Sequence, residues 1–297
     1  MAELPQLQEL WSFGDPAASE SRFREAVEKG RSAGDEAYVS EALTQLARSQ
    51  GLQRRFEEAL DTIGEASKLN GSGAGRVLVR IELETGRLFN SSGRNAQALV
   101  HFHRALRLAI DIDEEFLAVD AAHMIAIAEP SLEDQLKWNE RALELAAAAN
   151  DPRARSWKGS LLNNLGWTFF DKGDLEKAQR LFDEALEFRT DEGNPVKVRI
   201  AMWAVARTRR ARGEVNQALG MQLALQEELR RSGADDGFVQ EEIGECLLEL
   251  GKGEEARPHF SAAFELLSRD PRVSADQPDR LVRLERLSKG TPAVPIR

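Results

Sequence analysis

Apolar and small residues recur along this chain with the spacing of paired amphipathic helices. The clearest stretch places four of them at positions i, i+3, i+4 and i+7 of one helical stripe: Leu162, Leu165, Gly166 and Phe169. Gly173 follows as a glycine that ends a helix, and Asp174 can cap the next one. One face of that second helix is marked by Ala178, Phe182 and Ala185. The pattern predicts a helix–turn–helix hairpin.

The same pattern recurs at intervals of about 40 residues, which predicts seven tandem repeats. The small-residue slot of the first helix is marked in turn by Leu7, Ala47, Gly86, His123, Gly166, Ala206 and Gly244. Glycines stand at the turn within five repeats: Gly14, Gly93, Gly173, Gly213 and Gly251. The repeat around His123 is the most degenerate, because Pro130 replaces its turn glycine. Gln135 and Asn139 replace the small and aromatic residues of its second helix.

One hairpin cannot bury its apolar stripe alone, so repeats of this kind must stack on their neighbours. We therefore expect a single solenoid domain over residues 1–289. Residues 278–289 carry Leu281, Leu284 and Leu287 on one stripe and are predicted to form a C-terminal capping helix. Residues 290–297 are predicted to be a flexible tail.

This pattern resembles the tetratricopeptide repeat over roughly residues 3–268. The resemblance implies an all-α, right-handed superhelical solenoid of about seven helix–turn–helix repeats plus the capping helix. The period departs from the usual ~34 residues and is similar to that of the longer repeats of bacterial regulators and kinesin light chains. The family's proline after the second helix is present in some repeats only, as Pro152, Pro195 and Pro271.

Composition narrows the possible functions. The formal net charge of −10 argues against a general nucleic-acid binder, which would carry a basic excess. No apolar run approaches the ~20 residues that span a bilayer. The residues from Met1 to Pro5 lack the basic and apolar segments of a secretory signal. We therefore expect no membrane association and a cytoplasmic location.

Candidate chemistry is sparse. Cys246 is the only cysteine, which rules out an intrachain disulfide and argues against a thiolate-rich zinc site. The four histidines form no His-Glu-x-x-His motif: His101, His103, His123 and His259. The glycine-rich run 70–75 lacks the Gly-Lys-Ser/Thr ending of a phosphate loop and is predicted to connect two repeats. We expect no catalytic residues, no metal, no cofactor and no enzymatic activity.

In the tetratricopeptide family, the first helix of each repeat lines a concave surface on which ligands bind. The resemblance implies that ten residues of this chain face such a groove: Arg48, Arg80, Arg87, Asn90, Asn163, Trp167, Phe170, Trp203, Arg207 and Arg210. In the last repeat it adds Glu241, Glu245 and Leu248. Trp and Arg are the residue types that dominate binding energetics. The alternatives are that the two tryptophans pack between neighbouring first helices and that the run from Arg207 to Arg212 is a solvated surface.

The resemblance thus implies a protein-interaction scaffold or adaptor that binds a protein or peptide segment in the concave groove. The alternative is a peptide- or ligand-sensing regulatory protein that acts through a partner. It would lack its own DNA-binding domain, because the repeats begin near residue 3. An enzyme would need clustered titratable or metal-binding residues in the groove. Homo-oligomerisation through an end repeat is compatible with an imperfectly capped solenoid.

Overall fold

A computed structural model describes residues 4–71, 73 and 75–290, apart from the side chain of Arg272. Over these residues the fold is all-α, with no strand. Contacts group the chain into two compact units, Met1–Leu161 (unit 1) and Leu162–Arg297 (unit 2). The single domain over 1–289 stays a prediction. Residues 291–297 of the predicted tail lie outside the described residues.

Unit 1 contains three complete hairpins, preceded by a lone helix. Its elements are a 3₁₀ turn (Leu7–Leu10), α1 (Pro16–Ala33), α2 (Glu36–Leu52), α3 (Phe56–Asn70), α4 (Arg76–Ser91), α5 (Asn95–Asp111), α6 (Glu115–Ala128), α7 (Leu132–Ala148) and the short α8 (Pro152–Arg155). The first helices of the hairpins are α2, α4 and α6. The glycine-rich run connects α3 to α4 as predicted, although Ser72 and Ala74 of this run lie outside the described residues.

Unit 2 contains three further hairpins and the C-terminal cap. Its helices are α9 (Lys158–Asp171), which begins just before the boundary, α10 (Leu175–Glu192), α11 (Pro195–Ala211), α12 (Val215–Arg231), α13 (Gly237–Glu249), α14 (Gly253–Leu267), α15 (Pro271–Asp276) and α16 (Pro278–Ser288). The first helices are α9, α11 and α13. The predicted capping helix is present as α16, with Leu284 and Leu287 buried.

The first predicted repeat has no full first helix. Leu7–Leu10 forms only a 3₁₀ turn, and Gly14 does not adopt the left-handed conformation of the other turn glycines. The segment from Leu7 to Gly14 precedes α1, whose N-cap is Asp15. It is held instead by Trp11, whose indole packs on Phe23 and donates a hydrogen bond to Gln45 Oε1 at 3.0 Å.

The other four predicted turn glycines all have a positive φ: Gly93, Gly173, Gly213 and Gly251. Gly173 ends α9 with φ 79°, a conformation that glycine adopts without steric cost. The next N–H, that of Asp174, donates to Phe169 O at 3.0 Å, which satisfies a carbonyl at the helix end. The Asp174 carboxylate then accepts a hydrogen bond from Lys177 N and caps α10.

Each strong hairpin is locked by a phenylalanine that lies against a glycine. The pairs are Phe102 on Gly86, Phe182 on Gly166 and Phe260 on Gly244. A Cβ atom added to any of these glycines would meet the facing ring at 2.4 to 2.8 Å. All three rings are buried. The small-residue slot is therefore the space that the aromatic ring of the second helix occupies.

The degenerate repeat around His123 packs differently. His123 is buried on α6, and its ring lies 5.1 Å from that of Trp157. Burial lowers the pKa of His123, which favours the neutral imidazole. In the second helix, the Asn139 side chain donates to Gln135 O at 3.0 Å instead of filling an aromatic slot. The register of the repeat is kept with a more polar interior.

Gln222 on α12 occupies the slot that Phe182 and Phe260 fill in the neighbouring repeats. Its side chain is fully buried, and neither amide atom has a hydrogen-bond partner among the described residues. A buried unsatisfied amide costs stability. We expect Gln222→Leu to raise the free energy of unfolding by about 1–2 kcal/mol, measured by urea denaturation.

The control is Gln50→Leu in α2. Gln50 is equally buried, but its amide donates to Glu58 Oε1 and accepts from Thr62 Oγ1, both at 2.9 Å. Removing this amide breaks two hydrogen bonds, so we expect a loss of about 1–3 kcal/mol. Equal effects of the two substitutions would contradict the prediction.

Candidate binding surface on the first helices

All ten residues predicted to face a ligand lie on first helices, and all ten are half-buried. Four belong to unit 1: Arg48, Arg80, Arg87 and Asn90. Six belong to unit 2: Asn163, Trp167, Phe170, Trp203, Arg207 and Arg210. Each group is described within its own unit.

The arginines of unit 1 pair with carboxylates on neighbouring first helices. Arg80 Nε lies 2.8 Å from Glu41 Oε1, which joins α4 to α2. Arg87 pairs with Glu84 on its own helix at 2.7 Å and with Asp120 on α6 at 2.5 Å. Arg80 and Arg87 were predicted to contact a ligand, but in the structure they already form ion pairs with carboxylates of the chain itself.

Burial and pairing compete in this cluster. Burial acts to lower the pKa of Arg87, but the carboxylates of Asp120 and Glu84 outweigh it and raise that pKa. Burial likewise acts to raise the pKa of Asp120, and Arg87 and Arg48 reverse the direction. Both side chains therefore stay charged. The cluster holds α2, α4 and α6 side by side.

Arg48 is the exception in unit 1. Burial lowers its pKa, and its Nη1 atom is 3.8 Å from Glu84 Oε1, too far for a hydrogen bond. Its guanidinium lies 5.4 Å from the Trp11 ring and 5.6 Å from that of Phe13, two rings that stack on each other. Phe13 is exposed. Arg48 is held mainly by aromatic faces.

Unit 2 brings its predicted aromatic residues together in one row. The Trp167 ring lies 5.3 Å from Phe170 and 5.8 Å from Trp203, and Trp203 lies 6.1 Å from Phe238. Trp203 Nε1 donates to Phe238 O at 3.1 Å. The tryptophans thus pack between neighbouring first helices and also keep a solvent-accessible part. We call Trp167, Phe170, Trp203 and Phe238 the aromatic row.

Arg207 lies on the aromatic row. Its guanidinium is 5.3 Å from the Trp203 ring and 5.8 Å from the rings of Trp167 and Phe170. It also donates to Glu242 Oε1 on α13 at 2.9 Å. Because the Arg207 guanidinium contacts the rings and also bonds Glu242, it is a positive charge in a fixed position beside the aromatic row.

A second ion-pair cluster surrounds the acidic residues of α13. Glu242 accepts hydrogen bonds from Arg207 and Arg210 of α11 and is 1% exposed. On the other side, Arg280 and Arg283 of α16 pair with further carboxylates of α13: Glu241 and Glu245. The helix is therefore bound through its carboxylates to α11 and to the cap. Burial raises the pKa of Glu241.

Two predicted residues keep unused polar groups. The side-chain amides of Asn90 in unit 1 and Asn163 in unit 2 make no hydrogen bond within the described part of the chain. An amide offers both donors and an acceptor. Each is suited to bond the backbone of a bound segment.

Sequence reasoning missed an apolar cavity of about 380 Å³ in unit 2. It is lined by Val196, Arg199, Ile200, Trp203, Leu225, Leu229, Asp236, Phe238 and Val239. Val196 and Ile200 are 53% and 57% exposed. These two aliphatic residues, four apart on the solvent side of α11, are the sequence signal that indicates the cavity.

The lone cysteine, Cys246, is buried on α13. Burial raises the pKa of Cys246 to about 12, so the thiol is un-ionised and inert at neutral pH. No group of three or more His, Cys, Asp or Glu residues in the described ranges is placed to hold a metal ion. Within the same ranges, no helix is both long and apolar enough to cross a bilayer.

The fold and this surface define a helical-hairpin repeat protein. Residues 159–191 match the tetratricopeptide repeat family. The chain shares 13% identity with the apo form of RapI at a TM-score of 0.73, covering 95% of this chain and 80% of RapI. It shares 14% identity with the apo form of the quorum sensor NprR from B. thuringiensis at a TM-score of 0.64, covering 97% and 82%.

A third similar structure is BtubC (BKLC) from P. vanneervenii, with 18% identity and a TM-score of 0.60 over 78% of this chain and 94% of that one. No curated protein sequence matches the chain significantly. At these identities the structures show a shared fold. The chain therefore has the fold of tetratricopeptide-type repeat proteins, and residues 159–191 match the repeat of that family.

Proposed function

We propose that this chain is a protein-interaction scaffold that binds a protein or peptide segment along the first helices of unit 2. The observation that carries the proposal is the aromatic row with Arg207 fixed beside it. Trp, aromatic and Arg side chains supply most of the energy at protein interfaces. Here they are half-buried and already ordered by their neighbours, which reduces the entropy lost on binding.

The free amide of Asn163 supports the same surface. It lies on α9, one turn before Trp167, and its polar groups are available for the backbone of an extended segment. Asn90 of unit 1 is a second such group. Arg48, Arg80, Arg87 and Arg210 take a supporting part in the proposal. Arg80, Arg87 and Arg210 form ion pairs within the chain, and Arg48 lies against the rings of Trp11 and Phe13, so these side chains shape the surface and set its charge.

Similar folds have been solved with bound partners. The structures include NprR in complex with its cognate peptide NprX, at a TM-score of 0.56, and a Rap protein complexed with Competence and Sporulation Factor, at 0.59. These structures support binding of a peptide segment and also the alternative of a regulatory, peptide-sensing role.

The test is selection of random 12-residue peptides displayed on phage against the purified full chain. We expect enriched peptides whose affinity falls at least ~30-fold, or about 2 kcal/mol, for Trp167→Ala. Affinity is measured by isothermal titration calorimetry. Circular dichroism establishes that each variant is folded.

Trp138→Ala is the matched control, because Trp138 lies on the second helix α7, where it packs on His103. Phe170→Ala gives a second variant of the aromatic row should Trp167→Ala fold poorly. Enriched peptides that bind all variants equally would place the interaction away from the aromatic row. Absence of any enriched peptide would contradict the scaffold function itself.

A further inference from the structure

The apolar cavity of unit 2 is formed where three helices meet. Val196, Ile200 and Trp203 contribute one stripe of α11, Leu225 and Leu229 contribute the end of α12, and the start of α13 closes the third side. Its volume of about 380 Å³ lies in the range of small ligand pockets, and a cavity of about 150 Å³ already accommodates a benzene ring. The cavity is therefore large enough to hold one large side chain.

The exposed apolar rim is not a requirement of the repeat. The positions of α4 that correspond to Val196 and Ile200, counted back from the small-residue slot, hold Arg76 and Arg80. Both arginines lie within ion-pair distance of Glu41. The fold therefore accepts charged residues at these positions. In α11 they are aliphatic, more than half exposed and placed beside a cavity.

The charged residues around the cavity differ in their pairing. Arg199 on the wall pairs with Glu228 at 3.4 Å, whereas Asp235 and Asp236 have no cationic partner among the residues described here. One oxygen of Asp236 accepts hydrogen bonds from the N–H groups of Phe238 and Val239. The other carboxylate oxygen of Asp236 accepts no hydrogen bond from the described residues.

Other cations near this edge are already paired. Lys197 contacts Glu192 at 3.2 Å, while Glu227 holds two cations of α12: Arg230 and Arg231. Asp235 and Asp236 are therefore the carboxylates of this edge that remain without a cation among the described residues, and they attract a cation and repel an acidic segment.

We propose that this cavity receives one large apolar side chain from a partner segment that carries Lys or Arg next to it. The inference rests on the proposed scaffold function and names the partner class at the α13 end of the aromatic row. The apolar side chain fills the space between α11 and α12. The adjacent cation meets Asp235 and Asp236.

Three blocked tripeptides probe the cavity directly: Lys-Phe-Lys, Glu-Phe-Glu and Lys-Ala-Lys. Binding to the full chain is followed at low salt through the methyl resonances of Val196 and Ile200. We expect Lys-Phe-Lys to bind about tenfold more tightly than Lys-Ala-Lys, because a phenyl ring is buried. We also expect it to bind about tenfold more tightly than Glu-Phe-Glu, with a difference that shrinks as salt is added.

Two variants separate the apolar and charged contributions. Ile200→Ser should weaken Lys-Phe-Lys about tenfold, whereas Leu223→Ser, at an exposed leucine of α12 outside the cavity, should leave it unchanged. Asp235→Asn combined with Asp236→Asn should bring Lys-Phe-Lys and Glu-Phe-Glu close to equal affinity. Asn caps a helix as well as Asp does, so the fold is kept.

The inference is overturned by equal binding of Lys-Phe-Lys and Lys-Ala-Lys, by tighter binding of Glu-Phe-Glu, or by methyl resonances that no tripeptide shifts. Its failure is separable from that of the scaffold function. Phage-selected peptides that depend on Trp167 but bind Ile200→Ser normally would retain the scaffold and exclude the cavity. Tripeptide binding at the cavity, with no peptide enriched in the phage selection, would retain the cavity and contradict the scaffold function.

Discussion

Replacing Glu242 by alanine should lower the free energy of unfolding by about 3–5 kcal/mol. The Glu242 side chain is almost fully buried and accepts hydrogen bonds from Arg207 and Arg210, at 2.9 Å from each. Without the carboxylate, two partly buried guanidinium groups lose the acceptor that compensates their desolvation. Urea denaturation followed by tryptophan fluorescence measures the change, since Trp167 and Trp203 report on this unit.

Glu249→Ala is the matched control. Glu249 pairs with the same Arg210, at 2.5 Å, but its side chain is 41% exposed. An exposed ion pair contributes about 0–1 kcal/mol. If the two alanine variants unfold at the same urea concentration, the Glu242 carboxylate does not hold α11 to α13. Arg207 and Arg210 would then again be candidates for binding a ligand directly.

The helical hairpins could be predicted because their information is local. A stripe of apolar residues at helical spacing, a glycine at the turn and a capping acid lie within one repeat, as they do from Leu162 to Asp174. The contact of Phe182 with Gly166 was predictable for the same reason. An aromatic residue of one helix and a small residue of the next stand in fixed register across a short turn.

Turns without glycine were less predictable. Arg54 ends the first helix of its repeat with φ 63°, a conformation that glycine favours and most side chains avoid. Packing of α2 against α3 imposes this conformation at the turn, so tertiary contacts override the local preference. The short 3₁₀ turn at Leu7–Leu10 was missed because Leu7 and Leu10 have the apolar spacing of a helix. In the structure Trp11 is extended and packs on Phe23, so the helix does not continue.

The candidate surface was predictable in its residue types but not in its pairings. The helical position of Arg87 follows from its place beside Gly86. Its pairing with Asp120 does not, because that carboxylate lies on the next first helix, 33 residues along the chain. The register between successive first helices decides which charges meet. The aromatic row was easier to foresee, since Trp167 and Trp203 occupy equivalent positions of adjacent repeats.

Replacing Phe182 by alanine should cost about 3–5 kcal/mol of unfolding free energy. The ring is fully buried, lies against the backbone of Gly166 and meets the Trp167 ring at a centroid distance of 4.8 Å. Its removal leaves a cavity between α9 and α10 that rigid helices fill only in part. Urea denaturation of the full chain gives the value, and a loss below 1 kcal/mol would show that the two helices close the gap.

Gly166→Ala tests the same contact from the other side, because the added Cβ would lie 2.6 Å from the Phe182 ring. With Phe182 in place, we expect a loss of about 1–3 kcal/mol. In the Phe182→Ala background this loss should disappear, so that the two effects are not additive. Gly220→Ala in α12 is the control: nothing lies within 4 Å of its added Cβ, and alanine should stabilise that helix by about 0.5–1 kcal/mol. A destabilising Gly166→Ala beside a stabilising Gly220→Ala would locate the cost in the ring contact, since the chemical change is the same at both positions.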